Sequence, residues 1–467
     1  MLFNSYIFIL VFLPIVLLLY FGVNRFKKFA LGKWILIAAS LVFLGYYSLV
    51  GVMILVVSIA INFVMNKWIA KSNGKSKKTL LTIGVVGNVM FLGFFKYTGL
   101  FAENIIMPLG ISFYTFQQIA YMVDAYRGEV EDCCFGDYLL FVSYFPKLIQ
   151  GPIAYHNELL PQFRDEEKKQ LDFHNFSKGI ALFAQGLCKK VLLADNFGKI
   201  VDYGYSSITS LNSFEAILVI VGYTLQLYFD FSGYCDMAMG VSGMLNIELP
   251  WNFNSAYKAK NISDFWKCWH MTLTRFLTKY IYFPLGGNRK GVLRTYINIM
   301  VVYLVSGLWH GVGYTFVIWG ILHGAASVLY RVFKKTFDRI PGFIQWTMTF
   351  LFINVSWVFF RAPSINDALK VMKQVAVGGW QFAINAELTE TLLQPTLISI
   401  PSQFLPIQIV IICAVLIAIL TCVFLKNNLE RMKNFKPTFK WLVAIYVLLV
   451  VGIVSLSGVS TFLYTNF

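Results

Sequence analysis

The side chains best suited to acid–base chemistry in this 467-residue sequence are its five histidines. They are His156, His174, His270, His310 and His323. The last three lie in apolar stretches, where an ionisable side chain is costly and is therefore a functional candidate. A neutral imidazole is a suitable base near neutral pH. We therefore take His270, His310 and His323 as the starting points for a proton-transfer site.

His310 lies in the segment Ser306-Gly-Leu-Trp-His-Gly-Val-Gly313, within a stretch, Ile297–Tyr330, that has no Asp, Glu, Lys or Arg. As one helix this stretch would measure about 51 Å, longer than a bilayer core of about 30 Å. Basic residues flank both of its ends, which therefore prefer the same side of a membrane. The sequence predicts a helical hairpin broken at Gly311–Gly313.

Two histidines of this hairpin differ in how strongly their position favours chemistry. His310 adjoins the break, about 24 Å along a helix from Arg294, and neighbouring glycines let a ligand or a second backbone approach. Function is therefore favoured over core packing for His310. His323 lies about 12 Å along a helix from Arg331. Only its membrane location suggests function, so packing and function both stay open.

His270 lies in a segment whose charges fall on one side of a helix. The pattern predicts an amphipathic helix over Ser263–Tyr282, capped by Ser263. Its polar stripe consists of Asp264, Lys267, Arg275 and Lys279. His270 falls on the opposite side, which predicts an interfacial helix that directs His270 inward. Core packing and function are both open for it.

Two acids, Asp230 and Asp236, follow the apolar stretch Phe214–Phe229. Asp230 is predicted to end that span as a cap or an interfacial group. Either acid could instead orient a histidine by hydrogen bonding. A structural role is favoured for both, because buried acids commonly serve packing networks.

Several common sites are absent from the sequence. It contains no GxxxxGK[ST], no HExxH and no GxSxG segment, which disfavours phosphate-driven pumping. Cofactor binding by a Rossmann motif is also disfavoured. The histidines show no close ligand spacing, so we expect no metal and no tightly bound cofactor.

The composition indicates a membrane protein that must position these residues within a bilayer. Hydrophobic residues make up 58% of the chain and charged residues 13%, whereas soluble proteins carry about 25% charge. Mean hydropathy is +0.65. The net charge of +16 is explained by the positive-inside rule, and we expect no nucleic-acid partner.

Apolar segments long enough to span a bilayer occur along the whole chain. The regular candidates are Leu2–Val23, Trp34–Leu49, Val52–Met65, Leu80–Phe95, Phe214–Phe229, Phe343–Phe360, Leu405–Leu425 and Trp441–Leu463. The interrupted stretches are Ile105–Val123, Leu139–Ile153, Ile180–Leu193 and Ile297–Tyr330. The pattern predicts an all-α polytopic membrane protein with about 11 or more transmembrane, re-entrant and interfacial helices around a central tunnel.

Four basic clusters orient the chain. They begin at Arg25, Lys67, Arg331 and Lys426, and placing all four in the cytoplasm is self-consistent. The near-neutral loop 362–403 then lies outside, as do both chain termini.

A series of longer motifs extends from about Pro108 to Gly324. They are Gly110-Ile-Ser-Phe-Tyr-Thr-Phe-Gln117, Asp124-Ala-Tyr-Arg-Gly128, Tyr144-Phe-Pro-Lys-Leu-Ile-Gln-Gly-Pro152, Asp230-Phe-Ser-Gly-Tyr-Cys-Asp236, Leu249-Pro-Trp-Asn-Phe-Asn254, Asn261-Ile-Ser-Asp-Phe-Trp266, Trp269-His270, Tyr282-Phe-Pro-Leu-Gly-Gly287, Leu308-Trp-His-Gly311 and Trp319-Gly-Ile-Leu-His-Gly324. In this order they resemble the membrane-bound O-acyltransferase (MBOAT) family, in its bacterial alginate O-acetylation branch.

The resemblance implies an acyltransferase with a catalytic core at 101–330, between transmembrane segments at 1–100 and 331–467. It implies His310 as the catalytic histidine and His270 as a second polar position near the tunnel. The supporting residues are expected to be Asn261, Asp264, Trp309, His323, Asp230 and Asp236. A hydroxyl needs its proton removed to attack a thioester, and the resulting oxyanion needs donors such as His270, Asn261 or backbone N–H groups.

The same resemblance implies cytoplasmic acetyl-CoA as the donor and the bacterial inner membrane as the location. The acceptor is expected to be an extracytoplasmic polysaccharide or peptidoglycan, reached through a partner transferase that docks on loop 362–403. Two alternatives stay open. One is D-alanyl transfer to teichoic acid, and the other is a secondary transporter, for which broken helices would look alike.

Overall fold

The computed structural model describes residues 1–98, 107–393, 405–456 and 462–463. Within these ranges the chain is helical and contains no β-strand. The helices are α1 (Phe8–Arg25), α2 (Phe29–Gly45), α3 (Leu49–Lys71), α4 (Gly74–Tyr97), α5 (Ile111–Arg127), α6 (Phe135–Ser143), α7 (Phe145–Leu148), α8 (His156–Arg164), α9 (Phe173–Cys188), α10 (Asp195–Ser206), α11 (Ser213–Met244), α12 (Ile262–Cys268), α13 (Met271–Leu277), α14 (Val292–His310), α15 (Tyr314–Val332), α16 (Lys334–Phe337), α17 (Gly342–Arg361), α18 (Ile365–Val377), α19 (Ala386–Leu393), α20 (Ile407–Phe424), α21 (Asn428–Lys433) and α22 (Phe439–Val454).

Eight of the described helices are long and apolar enough to cross a bilayer. They are α1, α3, α4, α11, α14, α15, α17 and α20. The shorter apolar helices α2 and α22 occupy the predicted spans Trp34–Leu49 and Trp441–Leu463, although part of the latter lies outside the described residues. The all-α polytopic class is confirmed, and the chain is a multi-pass membrane protein. The central tunnel stays a prediction.

The chain forms two compact units, each discontinuous in sequence. The first contains Met1–Leu187, Tyr234–Trp251 and Phe435–Asn466, and the second contains Cys188–Gly233 and Asn252–Asn434. The predicted division at residues 100 and 330 stays a prediction. Of the predicted site residues, Asp236 belongs to the first unit, and all the others belong to the second.

The hairpin predicted from the uncharged stretch is present in the second unit. Helix α14 ends at His310, the chain turns at Gly311–Gly313, and α15 begins at Tyr314. Glycine permits the tight packing of the two helices, since a Cβ at Gly320 would lie 2.6 Å from the carbonyl oxygen of Tyr303. The break therefore holds His310 at the end of a helix.

Two local predictions are wrong. The proposed helix Ser263–Tyr282 is broken at His270, and its cap is Asn261, whose side chain accepts a hydrogen bond from the Asp264 backbone N–H. The span containing Asp230 does not end there, because α11 continues to Met244. A buried carboxylate is tolerated inside α11 since Lys190 neutralises it at 2.7 Å.

Candidate active site

His270 occupies the break between α12 and α13 in a left-handed backbone conformation, with φ of 44° and ψ of 51°. This region is unfavourable for a residue with a Cβ, and such strain concentrates at functional sites. The segment before α12 contacts the chain at this break. The backbone N–H of Met271 donates to the Asn252 carbonyl oxygen at 3.0 Å. The backbone therefore fixes where the His270 ring points.

The side chain of Asn252 contacts the His270 ring. Its Oδ1 lies 3.2 Å from Nδ1 of His270, and it also accepts hydrogen bonds from the Thr272 backbone N–H at 3.2 Å and the Thr272 hydroxyl at 3.0 Å. All three residues are buried. Burial lowers the pKa of His270 to about 3, so its imidazole is neutral at physiological pH.

His310 lies among aromatic rings at the end of α14. Its ring centroid is 4.8 Å from that of Trp309, 5.1 Å from that of Trp319 and 5.1 Å from that of Phe360. Only 3% of His310 is exposed. A Cβ at the next residue, Gly311, would lie 2.1 Å from the Phe316 ring, so a larger residue there would displace that ring.

The break and the hairpin bring the two histidines together. The ring centroids of His270 and His310 are 6.5 Å apart. Trp309 lies beside both rings, 6.2 Å from His270. The Phe231 ring packs edge-on against His270 at 4.8 Å. Two buried imidazoles at this separation, walled by aromatic rings, form an enclosure suited to proton transfer.

His323 has a different arrangement, in which both ring nitrogens are hydrogen-bonded to protein groups. The indole N–H of Trp266 donates to Nδ1 at 3.2 Å, and Nε2 lies 3.0 Å from Ser356 Oγ. The Ser356 hydroxyl donates its own proton to the Ile353 carbonyl. Nε2 of His323 therefore carries the proton and donates it to Ser356. His323 therefore holds the Trp266 indole in place through the hydrogen bond at Nδ1.

Asn261 and Asp264 form the start of α12. The Asn261 amide accepts from the Asp264 backbone N–H at 2.8 Å and donates to the Asp264 carboxylate at 2.6 Å. Lys267 also binds that carboxylate, at 3.0 Å. These contacts commit the Asn261 side chain to capping the helix, whereas the sequence suggested it as an oxyanion donor.

The two predicted acids of α11 have separate surroundings. Asp230 binds Lys190 at 2.7 Å, and Lys190 also binds Asp195 at 2.8 Å. Burial lowers the pKa of Lys190, but the two carboxylates outweigh this and hold it above the usual value. Asp230 is thus part of a buried ion-pair network. Asp236 is buried in the first unit.

Two adjoining cavities of the second unit lead towards the hairpin. The first, of about 320 Å³, is lined by the cationic side chains of Lys267, Arg331 and Lys334. The second, of about 230 Å³, is mostly apolar and reaches Ser306. Five residues line both cavities, namely Trp266, Thr274, Ile299, Tyr303 and Arg331. The two cavities therefore adjoin, and together they are here called the passage.

The inner end of this passage is close to His310 along α14. Ser306 precedes His310 by four residues, so both lie on one face of the helix. The Ser306 side chain is buried, and its hydroxyl has no hydrogen-bond partner among the described residues. A cationic entrance, an apolar slot and a buried polar end suit a long ligand with an anionic head.

Sequence reasoning missed several of these residues. Asn252 lies in a motif that was noticed, but nothing in the motif links it to His270, 18 residues away. Ser356 and Trp266 were not connected to His323 for the same reason. One signal was available in the sequence, namely a polar residue isolated within an apolar stretch. Such a residue indicates a hydrogen-bond partner elsewhere in the chain, since buried polar side chains need partners.

Comparisons with known proteins match the sequence of this chain to a family. Residues 72–366 match the model of MBOAT, the membrane-bound O-acyltransferase family. The chain is 43% identical to a peptidoglycan O-acetyltransferase of Helicobacter pylori, over 80% of this chain and 79% of that protein. It is 33% identical to the probable alginate O-acetylase AlgI of Pseudomonas aeruginosa, over 82% and 76%. A teichoic acid D-alanyltransferase of Bacillus subtilis is 29% identical, over 50% and 61%.

Proposed function

This chain belongs to the membrane-bound O-acyltransferase family, and we propose that it moves an acetyl group from cytoplasmic acetyl-CoA to a hydroxyl of an extracytoplasmic polysaccharide. It is an O-acyltransferase by family membership and a multi-pass membrane protein by its helices. The observation that carries the proposal is the buried His270–His310 pair, in which His310 lies on the same helix as Ser306, a residue lining one of the two adjoining cavities.

The entrance of the passage suits the donor. Coenzyme A carries phosphate groups on a nucleotide and ends in a slender thiol arm. Lys267, Arg331 and Lys334 would hold the phosphates, and the apolar cavity would hold the arm with its thioester towards Ser306 and His310. Arg331 and Lys334 belong to a basic cluster that the positive-inside rule assigns to the cytoplasm, where acetyl-CoA is made.

The chemistry follows from the two imidazoles. His310 takes the proton of the acceptor hydroxyl while the oxygen attacks the thioester carbon. The tetrahedral intermediate collapses, the C–S bond breaks, and the leaving thiolate takes the proton back from His310. The acetyl ester, free CoA and a neutral histidine remain. His270 orients this exchange, and Trp309 and Phe231 keep bulk water away.

The acceptor is proposed to be peptidoglycan. The similarity to the Helicobacter pylori protein, at 43% identity, exceeds that to the alginate O-acetylase, at 33%. Alginate or another exopolysaccharide is the second choice. A separate extracytoplasmic transferase is proposed to complete the transfer at loop 362–403, of which residues 394–403 lie outside the described residues. The location is then the bacterial inner membrane.

Two other functions would use the same architecture. D-alanyl transfer to teichoic acid has the weaker support, since the D-alanyltransferase matches only 50% of this chain. It would need a carrier protein to dock at the cationic entrance. A secondary transporter would also have broken helices, but it would not need paired buried imidazoles.

A reconstituted system tests the proposal. Proteoliposomes containing the chain would receive acetyl-CoA labelled in the acetyl group, with peptidoglycan, alginate or teichoic acid outside and envelope extract as the source of partner proteins. We expect label on peptidoglycan as an alkali-labile ester. Transfer from a D-alanyl carrier protein alone, or movement of a solute without acyl transfer, would refute the proposal.

A further inference from the structure

We propose that Asn252 is a positioning residue that holds His270 with its proton on Nδ1 and thereby makes Nε2 of His270 a hydrogen-bond acceptor. This inference rests on the proposed function for its catalytic meaning. It rests on the structure alone for the protonation state. Asn252 lies in the segment before α12 and was not among the predicted site residues.

The orientation of the Asn252 amide is fixed by Thr272. The backbone N–H of Thr272 can only donate, and it lies 3.2 Å from one terminal atom of the Asn252 side chain. That atom must therefore be the amide oxygen. The Thr272 hydroxyl contacts the same atom at 3.0 Å. The amide is thus held in one orientation, with its oxygen towards His270.

The protonation of His270 follows from this orientation. An amide oxygen accepts hydrogen bonds and cannot donate them. Nδ1 of His270 lies 3.2 Å from the oxygen, so Nδ1 carries the proton. A neutral imidazole has one proton, and Nε2 then presents a lone pair. Because burial lowers the pKa of His270 to about 3, this neutral form holds at physiological pH.

An acceptor at Nε2 excludes one of the roles considered for His270. A neutral His270 in this form cannot donate a hydrogen bond to an oxyanion. It can accept one from a bridging O–H group whose oxygen in turn accepts from the N–H of His310. A direct bond is excluded, since ring centroids 6.5 Å apart leave at least about 4 Å between ring nitrogens, beyond hydrogen-bond range. The opposite nitrogen of His310 then accepts the proton of the acceptor hydroxyl.

A backbone hydrogen bond also connects Asn252 to the residue that follows His270. The carbonyl of Asn252 accepts from Met271, directly after the left-handed His270. The ring neighbours of His270 are Phe231 of α11, with Trp309 and His310 of α14, and among these only His310 titrates. The tautomer assignment rests on the contact between Nδ1 of His270 and the amide oxygen of Asn252.

A purely structural role for Asn252 makes a different prediction. If Asn252 only caps α13, its loss lowers stability and leaves the pH profile unchanged. In Asn252→Asp the carboxylate still accepts from Thr272, but it stabilises the His270 cation. An opposite charge at this distance raises a pKa by about 1–3 units. Protonation of Nε2 then abolishes its acceptor role as the pH falls.

The experiment compares pH profiles of acetyl transfer by the full-length protein in nanodiscs. We expect Asn252→Asp to be active at high pH and to lose activity on acidification about 1–3 pH units earlier than the wild type. We expect Asn252→Ala to lower kcat about 100-fold, within the range for acid–base groups, with little change in KM for acetyl-CoA. The matched control is Asn254→Asp. Asn254 lies two residues further along the chain, and its amide oxygen accepts a hydrogen bond from Asn427. The pH profile of this variant should match that of the wild type.

Nitrogen-15 NMR of labelled histidine, assigned by difference from His270→Asn, reads the tautomer without any activity assay. The Nδ1–H form is expected in the wild type. An Nε2–H form, or an Asn252→Asp profile of wild-type shape, would overturn the proposal. If the wild type shows the Nδ1–H form but transfers no acetyl group to any acceptor, the proposed function fails and the tautomer assignment stands.

Discussion

Arg331 is the cation at the entrance of the passage that is least committed to other contacts. Lys267 binds Asp264, and Lys334 binds Asp338. Arg331 lines both cavities and makes no ion pair with a described residue. If the donor is acetyl-CoA, Arg331 should contribute more to phosphate binding than either lysine. We therefore predict that Arg331→Gln weakens donor binding selectively.

The expected magnitude follows from Coulomb's law at an exposed position. Two unit charges about 4 Å apart in water attract by about 1 kcal/mol, and a phosphate carrying more than one charge raises this to about 1.5 kcal/mol. A free energy of about 1 to 1.5 kcal/mol corresponds to a rise in KM for acetyl-CoA of roughly five- to twelvefold. The kcat should stay the same, because the phosphates lie far from the reacting carbonyl.

The assay is steady-state acetyl transfer at two salt concentrations. The difference between wild type and Arg331→Gln should shrink in 1 M salt, where the screening length is about 3 Å. The matched control is Arg339→Gln, a member of the same basic cluster that does not line either cavity. An unchanged KM for Arg331→Gln, or an equal rise for both variants, would refute the assignment of this entrance to the donor.

Two further predictions concern stability. Asp230→Leu should lower the free energy of unfolding by about 3 kcal/mol, since Lys190 loses a buried partner. In thermal unfolding, the double variant Asp230→Leu/Lys190→Met should recover most of the lost stability. A double variant no more stable than Asp230→Leu would contradict the ion-pair network. Ser356→Ala should lower the free energy of unfolding by about 1–3 kcal/mol, because the N–H of His323 is left without its acceptor. An unchanged melting temperature for Ser356→Ala would contradict the protonation assigned to His323.

The spans and the hairpin were predictable because they depend on local composition. The absence of charge between Ile297 and Tyr330, together with glycines after His310, sufficed to place the break at Gly311–Gly313. Hydrophobic length and basic flanks act over one segment at a time. The class of the fold therefore follows from the sequence.

The break at His270 was not predictable in the same way. The periodicity around it fits one continuous helix, and nothing in a histidine residue signals a left-handed conformation. The break is accompanied by hydrogen bonds to Asn252, which is distant in sequence. The burial of Asp230 inside α11 likewise depends on Lys190, 40 residues earlier. Such tertiary contacts override local patterns.

The central claim is that the His310 imidazole performs the proton transfer. The most direct measurement is the single-turnover rate of acetyl transfer by His310→Gln, compared with His174→Gln, a change at an exposed histidine. The account predicts a loss of roughly 10²–10⁴-fold for His310→Gln and a wild-type rate for His174→Gln. A folded His310→Gln protein that transfers acetyl groups at the wild-type rate would contradict it.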